Sequence, residues 1–390
     1  MNNDLPVRSN ASLGPRRSGL IPAKRVFLAV ITAALMLFVV PKGASGATDP
    51  ADGFVPLSQE VRIGFPEVLY AQPGFGMEWW YVTGHLFSHE RNLGFEVSFF
   101  RVGVTRFPTE GTFSVRDLYF AHFALTDQAN KRFLFGERSS RGALAEAGSR
   151  SDRLDVWVGD WRLRGDVTQM NLSAEEPGYG LELVLEPIKP PAFQGDQGYS
   201  RKGENPHEAS YYVSLPRLDA SGTLRLEDQV LPVSGQAWMD REVMTPVHGA
   251  EVRGWDWFAV QLEDNREVML YRLYTEKGVS NHSAGTVILA DGNATALSST
   301  EISYRASKQW RSPETGILYD VGWRVSVPRH DLQLEIVAVM NEQEFIARRS
   351  TRNAYWEGAC EVRGTWQGQP ILGRAYLEMN RERVSMFSGP

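Results

Sequence analysis

After residue 50 the chain is dominated by one pattern, in which short runs rich in Val, Phe, Tyr and Trp alternate with period two and are interrupted by Gly, Pro or Asp. MEWWYVTGHLF, LGFEVSFFRVG, RDLYFAHFALTD, LELVLEP, SYYVSLPRL, GWDWFAVQLED, REVMLYRLY and DLQLEIVAV all carry it. A period of two places successive side chains on opposite faces of a strand, and β-branched and aromatic residues fit a pleated, half-buried surface. The expectation is an all-β, antiparallel protein of barrel or sandwich type. No helical period is sustained outside residues 26–40.

A second constraint is an internal repeat of long period. WWYVTGHL…LGFEVSFFR (79–101) matches WDWFAVQL…REVMLYR (255–272). WRLRGDV…LELVL (161–185) matches WRVSVPR…LQLEI (323–336), and YYVSLPRL…GQAWMDRE (211–242) matches YWEGACEV…GRAYLEMNRE (355–382). Three matches in one order favour two tandem β-barrel domains, 54–245 and 246–390, over a single sandwich whose strands merely look alike. Each has the size of an eight-stranded barrel enclosing one small ligand.

Residues 1–47 read separately. Arg16, Arg17, Lys24 and Arg25 precede the uncharged run VFLAVITAALMLFVV (26–40), which is followed by PKGASGATDP. This order is that of an export signal peptide cleaved near Ala47; the run is shorter than the roughly 20 apolar residues of a membrane-spanning helix, although an uncleaved anchor is the alternative. Arg16-Arg17 is a weak twin-arginine feature, and a periplasmic or secreted location is expected. Without the six Lys/Arg and one Asp of residues 1–47, the 41 basic and 47 acidic residues fall to 35 and 46, so the formal charge goes from −6 to −11. So acidic a surface argues against nucleic acid as a partner. Cys360 is the one cysteine, which leaves no intrachain disulfide and no thiolate zinc cluster.

EWWYVTGHL (78–86), AHFALTD (121–127), FQGDQGYSRKG (193–203), ASYYVSLPRL (209–218), AWMDRE (237–242), GWDWFAVQL (254–262) and YWEGA (355–359) resemble the AttH-like, lipocalin-like proteins often labelled predicted secreted hydrolases. That group is distantly related to the carotenoid 1,2-hydratases, or hydroxyneurosporene synthases. The resemblance spans nearly all of the chain after the leader. It implies two tandem lipocalin-like (calycin-type) barrels and an apolar, lipid- or isoprenoid-like ligand, without fixing a reaction. The family more often has Trp where Val243 follows the DRE triplet, which bears on pocket shape. Its usual Thr-Gly-Tyr ending is replaced by Asn380-Arg381-Glu382, which bears on the closing strand.

On a strand, Trp238, Asp240 and Glu242 share one face, with neighbours about 6.5 to 7 Å apart, while Met239 and Arg241 point the other way. Two carboxyls that close beside an indole cannot both ionise cheaply, so one keeps its proton to higher pH. Such an acid beside aromatic faces suits hydration of a trisubstituted alkene: it protonates the double bond, the rings stabilise the cation, and water adds. The resemblance to the hydratases implies this acid role for Asp240, and Glu242 is a second catalytic candidate. Both also suit a structural pairing with an arginine from a neighbouring strand.

Other candidates are ligand contacts. Trp255 and Trp257 share a face opposite Asp256; their counterparts in the first repeat are taken as Glu78 and Trp80, so the two barrels are expected to differ in function. Arg101 and Arg272 end aromatic strands and are expected to satisfy a carboxylate or carbonyls. The glycine-rich GDQGYSRKGENPHEASYY (195–212) suits a rim loop, with Ser200, Lys202, Tyr211 and Tyr212 as contacts. His122 is either a core histidine or a pocket residue. There is no G-x-S-x-G elbow and no phosphate-binding loop, and His85 and His89 lie about 13 Å apart by strand rise, too far to share a metal. No metal and no cofactor is expected. The competing functions are a hydratase or hydrolase acting on the ligand, a non-catalytic lipid carrier, and an accessory protein associated with envelope transport components.

Overall fold

The computed structural model describes residues 53–89, 91–106, 115–247 and 251–381. The basic and apolar leader and Glu382 lie outside the described residues, and among those described no helix is long and apolar enough to cross a membrane. The first sheet holds β1 (Met77–Ser88), β2 (Arg91–Gly103), β3 (Asp117–Asp127), β4 (Arg132–Arg141), β5 (Ala147–Ser149), β6 (Leu154–Val158), β7 (Trp161–Gly165), β8 (Met170–Glu176), β9 (Tyr179–Pro187), β10 (Ala192–Phe193), β11 (Tyr199–Arg201), β12 (Ala209–Leu226) and β13 (Gln229–Met244). The second holds β14 (Gly254–Leu262), β15 (Glu267–Thr275), β16 (Gly278–Val279), β17 (Ala284–Ile288), β18 (Ala294–Ser298), β19 (Ser303–Arg311), β20 (Leu318–Val327), β21 (Leu332–Ala338), β22 (Glu344–Ala347), β23 (Asn353–Trp366) and β24 (Gln369–Asn380).

The first sheet runs β4-β3-β2-β1-β13-β12-β9-β8-β7-β6-β5 and the second β18-β17-β15-β14-β24-β23-β21-β20-β19. In each, the first strand of the domain pairs with the last, and the ladders are antiparallel. The first curls until β6 packs against β2, β3 and β4, giving a nearly closed barrel; the second is a half-barrel. The all-β, lipocalin-like architecture is thus present, with thirteen and eleven strands in place of eight.

The repeat is visible in the register. Gly235 faces Leu86 and Gly373 faces Leu262; Asp240 faces Tyr81 and Glu378 faces Trp257. The two glycines serve one purpose: a Cβ at Gly235 would lie 1.9 Å from the His85 carbonyl oxygen, and one at Gly373 2.5 Å from that of Gln261. This register makes Trp79 and Tyr81 the counterparts of Trp255 and Trp257. The expected pairing with Glu78 and Trp80 is one residue out of step, and a slip of one residue turns every side chain to the other face.

Both barrel interiors are filled. Trp80, Phe95, Phe99, Phe123 and Trp161 pack in the first, and Phe258, Tyr319, Trp323 and Trp356 in the second. Neither lumen is therefore the ligand cavity expected from a small barrel. The opposite faces of β1, β12 and β13 meet those of β14, β15 and β24 through a third cluster that includes Tyr81, Tyr212, Trp238, Trp257, Tyr271 and Tyr376. Because these strands are buried on both faces, they carry rings on both. Each domain also buries an acid between arginines: Glu78 accepts from Arg101 and Arg241, and Asp256 from Arg381 at 2.7 Å with Arg272 at 3.6 Å. The arginine pairing foreseen for Asp240 or Glu242 falls to Glu78, on the other face of the sheet.

Candidate functional site

A cavity of about 210 Å³ lies between the two sheets, bounded by β1, β2, β3, β12 and β13 on one side and β14, β15, β23 and β24 on the other. Its wall is mainly apolar and aromatic, with Trp79, Tyr81, Phe100, Phe120, Tyr212, Trp255, Trp257, Tyr271, Leu273 and Tyr355 among its residues. Among them stand the polar groups Asp240, Glu242, Glu378, Lys202, His122, Ser98, Thr351, Asn353, Asn380 and Arg253. An apolar cavity with a small number of placed polar groups is the common form of a small-molecule site.

Asp240 is held from three directions. Ser214 Oγ and Trp238 Nε1 donate to Oδ1 at 2.6 and 2.7 Å, and Tyr212 Oη donates to Oδ2 at 2.5 Å. Trp257 Nε1 in turn donates to Tyr212 Oη at 3.0 Å, so a ring from the second domain supports an acid of the first. Burial pushes the Asp240 carboxyl up to about 7; the three donors pull it down and the nearby Glu242 pushes it up, but burial is the largest effect. Trp238 shares the face of Asp240, as the strand alternation requires, and supports it from outside the cavity wall.

Glu242 has different partners. Ser210 donates to it and Lys202 Nζ lies 3.1 Å from Oε1. Lys202 also sits 4.1 Å from the Tyr271 ring centroid and 4.9 Å from that of Tyr212. Burial draws the Lys202 ammonium down, but Glu242 together with Tyr271 and Asp240 outweighs it and holds the value above the ordinary one. The neighbouring acids thus differ in their partners: Asp240 is held by three neutral donors, and Glu242 by Ser210 and the Lys202 ammonium. The 195–208 segment that delivers Lys202 is tied to β12 through Tyr199 to Arg201, and Ser200 Oγ hydrogen-bonds Tyr271 Oη at 2.9 Å behind the wall.

Glu378, which sequence reasoning passed over, occupies in the second repeat the position of Asp240 in the first. Burial pushes it up to about 7, the Trp255 indole opposing and the Glu242 and Asp240 charges reinforcing the shift. It was readable from the alignment of GQAWMD with GRAYLE. Tyr81, also unforeseen, donates to Glu357 Oε1 at 2.5 Å across the domain boundary. Burial pushes Glu357 and the adjacent Glu96 well above the carboxylate range, with Ser98 opposing the shift on Glu96.

Besides Trp238 and Ser200, which stand behind the wall, three expected contacts face the interior of the first barrel. Glu78 and Trp80 are inside the first barrel, Glu78 between its arginines and Trp80 donating to the Leu69 carbonyl at 2.8 Å under the Arg241 guanidinium. Tyr211 also faces that interior and donates to the Ile63 carbonyl at 2.8 Å. Glu78 and Trp80 stand one residue out of phase with Trp79 and Tyr81, which reach the cavity, as does Tyr212, the other tyrosine expected beside Tyr211. Val243 packs in the first core, so the departure at that position leaves the cavity unaltered. Among the described residues there is no cluster of three or more His, Cys, Asp or Glu able to hold a metal ion, and His85 instead hydrogen-bonds the Ala375 carbonyl at 3.0 Å.

Comparison with known proteins agrees with this architecture. The crystal structure of a protein assigned as AttH from Nitrosomonas europaea is 31% identical, with a TM-score of 0.76, over 84% of this chain and 99% of that one. Kievitone hydratase from Nectria haematococca aligns with a TM-score of 0.65 at 12% identity, over 85% and 98% of the two chains. A structure of CghA with Sch210972 aligns at 0.53 and 14% identity, over 85% and 97%. These last two show the shared fold alone. No curated protein sequence matches. With the AttH-like family model matching residues 56–381, the chain belongs to the AttH-like family.

Proposed function

We propose that this protein is exported, binds an apolar, lipid- or isoprenoid-like small molecule in the cleft between its two barrels, and adds water across a trisubstituted double bond, with Asp240 as the proton donor. The observation that carries the reading is a buried acid, pushed up to about 7, on an aromatic cavity wall. At neutral pH a substantial fraction of Asp240 is protonated and able to give its proton to an alkene carbon. The tertiary cation then lies among the faces of Trp79, Trp257, Tyr81 and Tyr212, whose quadrupoles stabilise positive charge by about 0.5–2 kcal/mol each. Addition of water completes a hydration. The related fold of kievitone hydratase supports a hydratase over a hydrolase, and His122, which faces Ser98 on the cavity wall, gives its two ring nitrogens to Tyr355 and Ser350 and not to that serine. Glu242, tied to Lys202, orients the wall in this reading.

The second reading is a carrier that holds a lipid unchanged, alone or as an accessory of envelope transport. It is favoured by the three donors on Asp240, which would equally fix a purely structural acid. The test is to purify wild type and Asp240→Asn under native conditions, extract each with organic solvent, and compare the retained molecules by mass spectrometry. A product heavier by one water in the wild type, with its alkene precursor in the variant, supports hydration. The same unaltered lipid in both establishes the carrier instead.

A further inference from the structure

Water that adds to a cation must lose a proton, and the cavity wall formed by β3 and β23 holds a group suited to receive it. His122 lies between two hydroxyls of the second domain: Nδ1 is 2.7 Å from Tyr355 Oη and Nε2 is 2.8 Å from Ser350 Oγ. Ser350 Oγ lies 2.5 Å from Glu137 Oε2, which also accepts the Ser350 backbone N–H at 2.7 Å. The Arg349 N–H approaches Oε1 and Oε2 at 2.9 and 3.1 Å, and the Arg348 N–H approaches Oε1 at 3.0 Å. Burial pushes Glu137 up, but these bonds from Ser350 and Arg349 outweigh it and hold the group below its ordinary range, as a carboxylate.

A carboxylate only accepts, so the single hydroxyl proton of Ser350 points to Glu137. Ser350 Oγ then has only lone pairs for the imidazole, which places the imidazole proton on Nε2. Nδ1 is left as an acceptor, and the Tyr355 hydroxyl donates to it. Burial holds the imidazole neutral at pH 7, with its value near 4. The directions are therefore fixed along the chain Tyr355 to His122 to Ser350 to Glu137. His122 and Glu137 come from the first sheet and Ser350 and Tyr355 from the second domain, so the chain exists only where the two are docked. Its open end is at the cavity, where Tyr355 and His122 both line the wall.

We propose that Tyr355 is a second proton-transfer residue of the cleft, accepting the proton that water loses on addition, with His122 as the base behind it and Ser350 and Glu137 as positioning residues that set the imidazole tautomer. This rests on the hydration reading above. The step balances: Asp240 gives its proton to one alkene carbon, water oxygen bonds to the other, a water proton passes to Tyr355 Oη, and the Tyr355 proton passes to His122 Nδ1. The imidazolium so formed keeps Nε2–H on Ser350, with the Glu137 charge behind it. Proton return from His122 to Asp240 through solvent restores the protein, and nothing but water is consumed.

Two independent readouts test this. In the full chain labelled with 15N-histidine at pH 7, with His122 assigned by His122→Gln, we expect a neutral ring protonated on Nε2. Tyr355→Phe should move Nδ1 alone, and Glu137→Gln should mix the tautomers. An Nδ1–H tautomer, or an imidazolium, would overturn the relay. The second readout is 18O incorporation from labelled water into citronellol, geraniol and farnesol, isoprenoid alcohols with trisubstituted alkenes. Tyr355→Phe should lower it about 100-fold, within the range for loss of one acid–base group, while leaving binding of the probe intact. Incorporation in the wild type that survives Tyr355→Phe sinks the acceptor role alone; no incorporation in the wild type sinks hydration and the acceptor role together, while the tautomer still stands or falls separately.

Discussion

The two walls of the cleft are built from the same positions of two repeats and have been given different partners. Trp79 and Trp255, Tyr81 and Trp257, and Asp240 and Glu378 are pairs related by the ladder register, and all six line the cavity. Tyr212 and Tyr355 are a fourth pair, each preceding the residue that faces Arg241 or Met379. Asp240, however, receives three hydrogen bonds from Tyr212, Ser214 and Trp238, whereas Glu378 is opposed only by the Trp255 indole. Tyr212 serves the acid of its own wall, while Tyr355 donates to a histidine of the other domain. The two repeats thus share an aromatic cleft and differ in the polar groups set on it; in the proposed reading Asp240 of the first gives a proton and Tyr355 of the second accepts one.

The largest expected effect of breaking this asymmetry is on Asp240. Asp240→Asn should lower turnover by 10³-fold or more, roughly 4 kcal/mol of barrier, measured as 18O incorporation, while Glu378→Gln should change it less than about tenfold. Equal losses in the two variants would mean that the walls are equivalent. A comparable effect on stability is expected away from the cleft. Glu78→Gln leaves Arg241 buried without a carboxylate and Arg101 with Asp117 alone, and should cost about 3–5 kcal/mol in denaturant unfolding while leaving ligand retention unchanged in the folded fraction.

The pH dependence of stability has a defined sign. Asp240 and Glu378 keep their protons in the folded protein up to about 7, whereas unfolded Asp and Glu release theirs near 3.9 and 4.3. Between those limits the folded state binds more protons, so these groups make stability fall as pH rises from about 4 to 7, by on the order of a few kcal/mol. Unfolding in urea at pH 5 and pH 8 should show the decline, and the double variant Asp240→Asn with Glu378→Gln should lessen it. A smaller effect is expected of Trp257→Phe. It removes the hydrogen bond to Tyr212 and weakens the aromatic face, and should slow turnover roughly 10-fold, about 1.4 kcal/mol.

Much of the fold is legible in the sequence because strands with Gly, Pro and Asp between them have few other ways to pack, and because the three repeated segments fix which strands of one domain answer to which of the other. The cleft is harder to read. Strands buried on both faces carry rings on both, so WWY offers no polar face from which to set the phase, and a choice one residue off exchanged Trp79 and Tyr81 for Glu78 and Trp80. Asp240 was accessible because AWMDRE puts its acid in step with a tryptophan. The His122 relay has no comparable local pattern: its contact Ser350 is 228 residues away, and only the docking of the two sheets brings them together.

The most direct measurement is the titration of Asp240 itself, by 13C NMR of carboxyl-labelled aspartate with assignment through Asp240→Asn. We expect a midpoint near 7, well separated from the exposed aspartates, which would establish a buried acid that holds its proton at neutral pH in an aromatic cleft. A midpoint near 4 would contradict this: Asp240 would then be an ordinary carboxylate at neutral pH, fixed by Ser214, Tyr212 and Trp238, and the cleft would lack its proton donor.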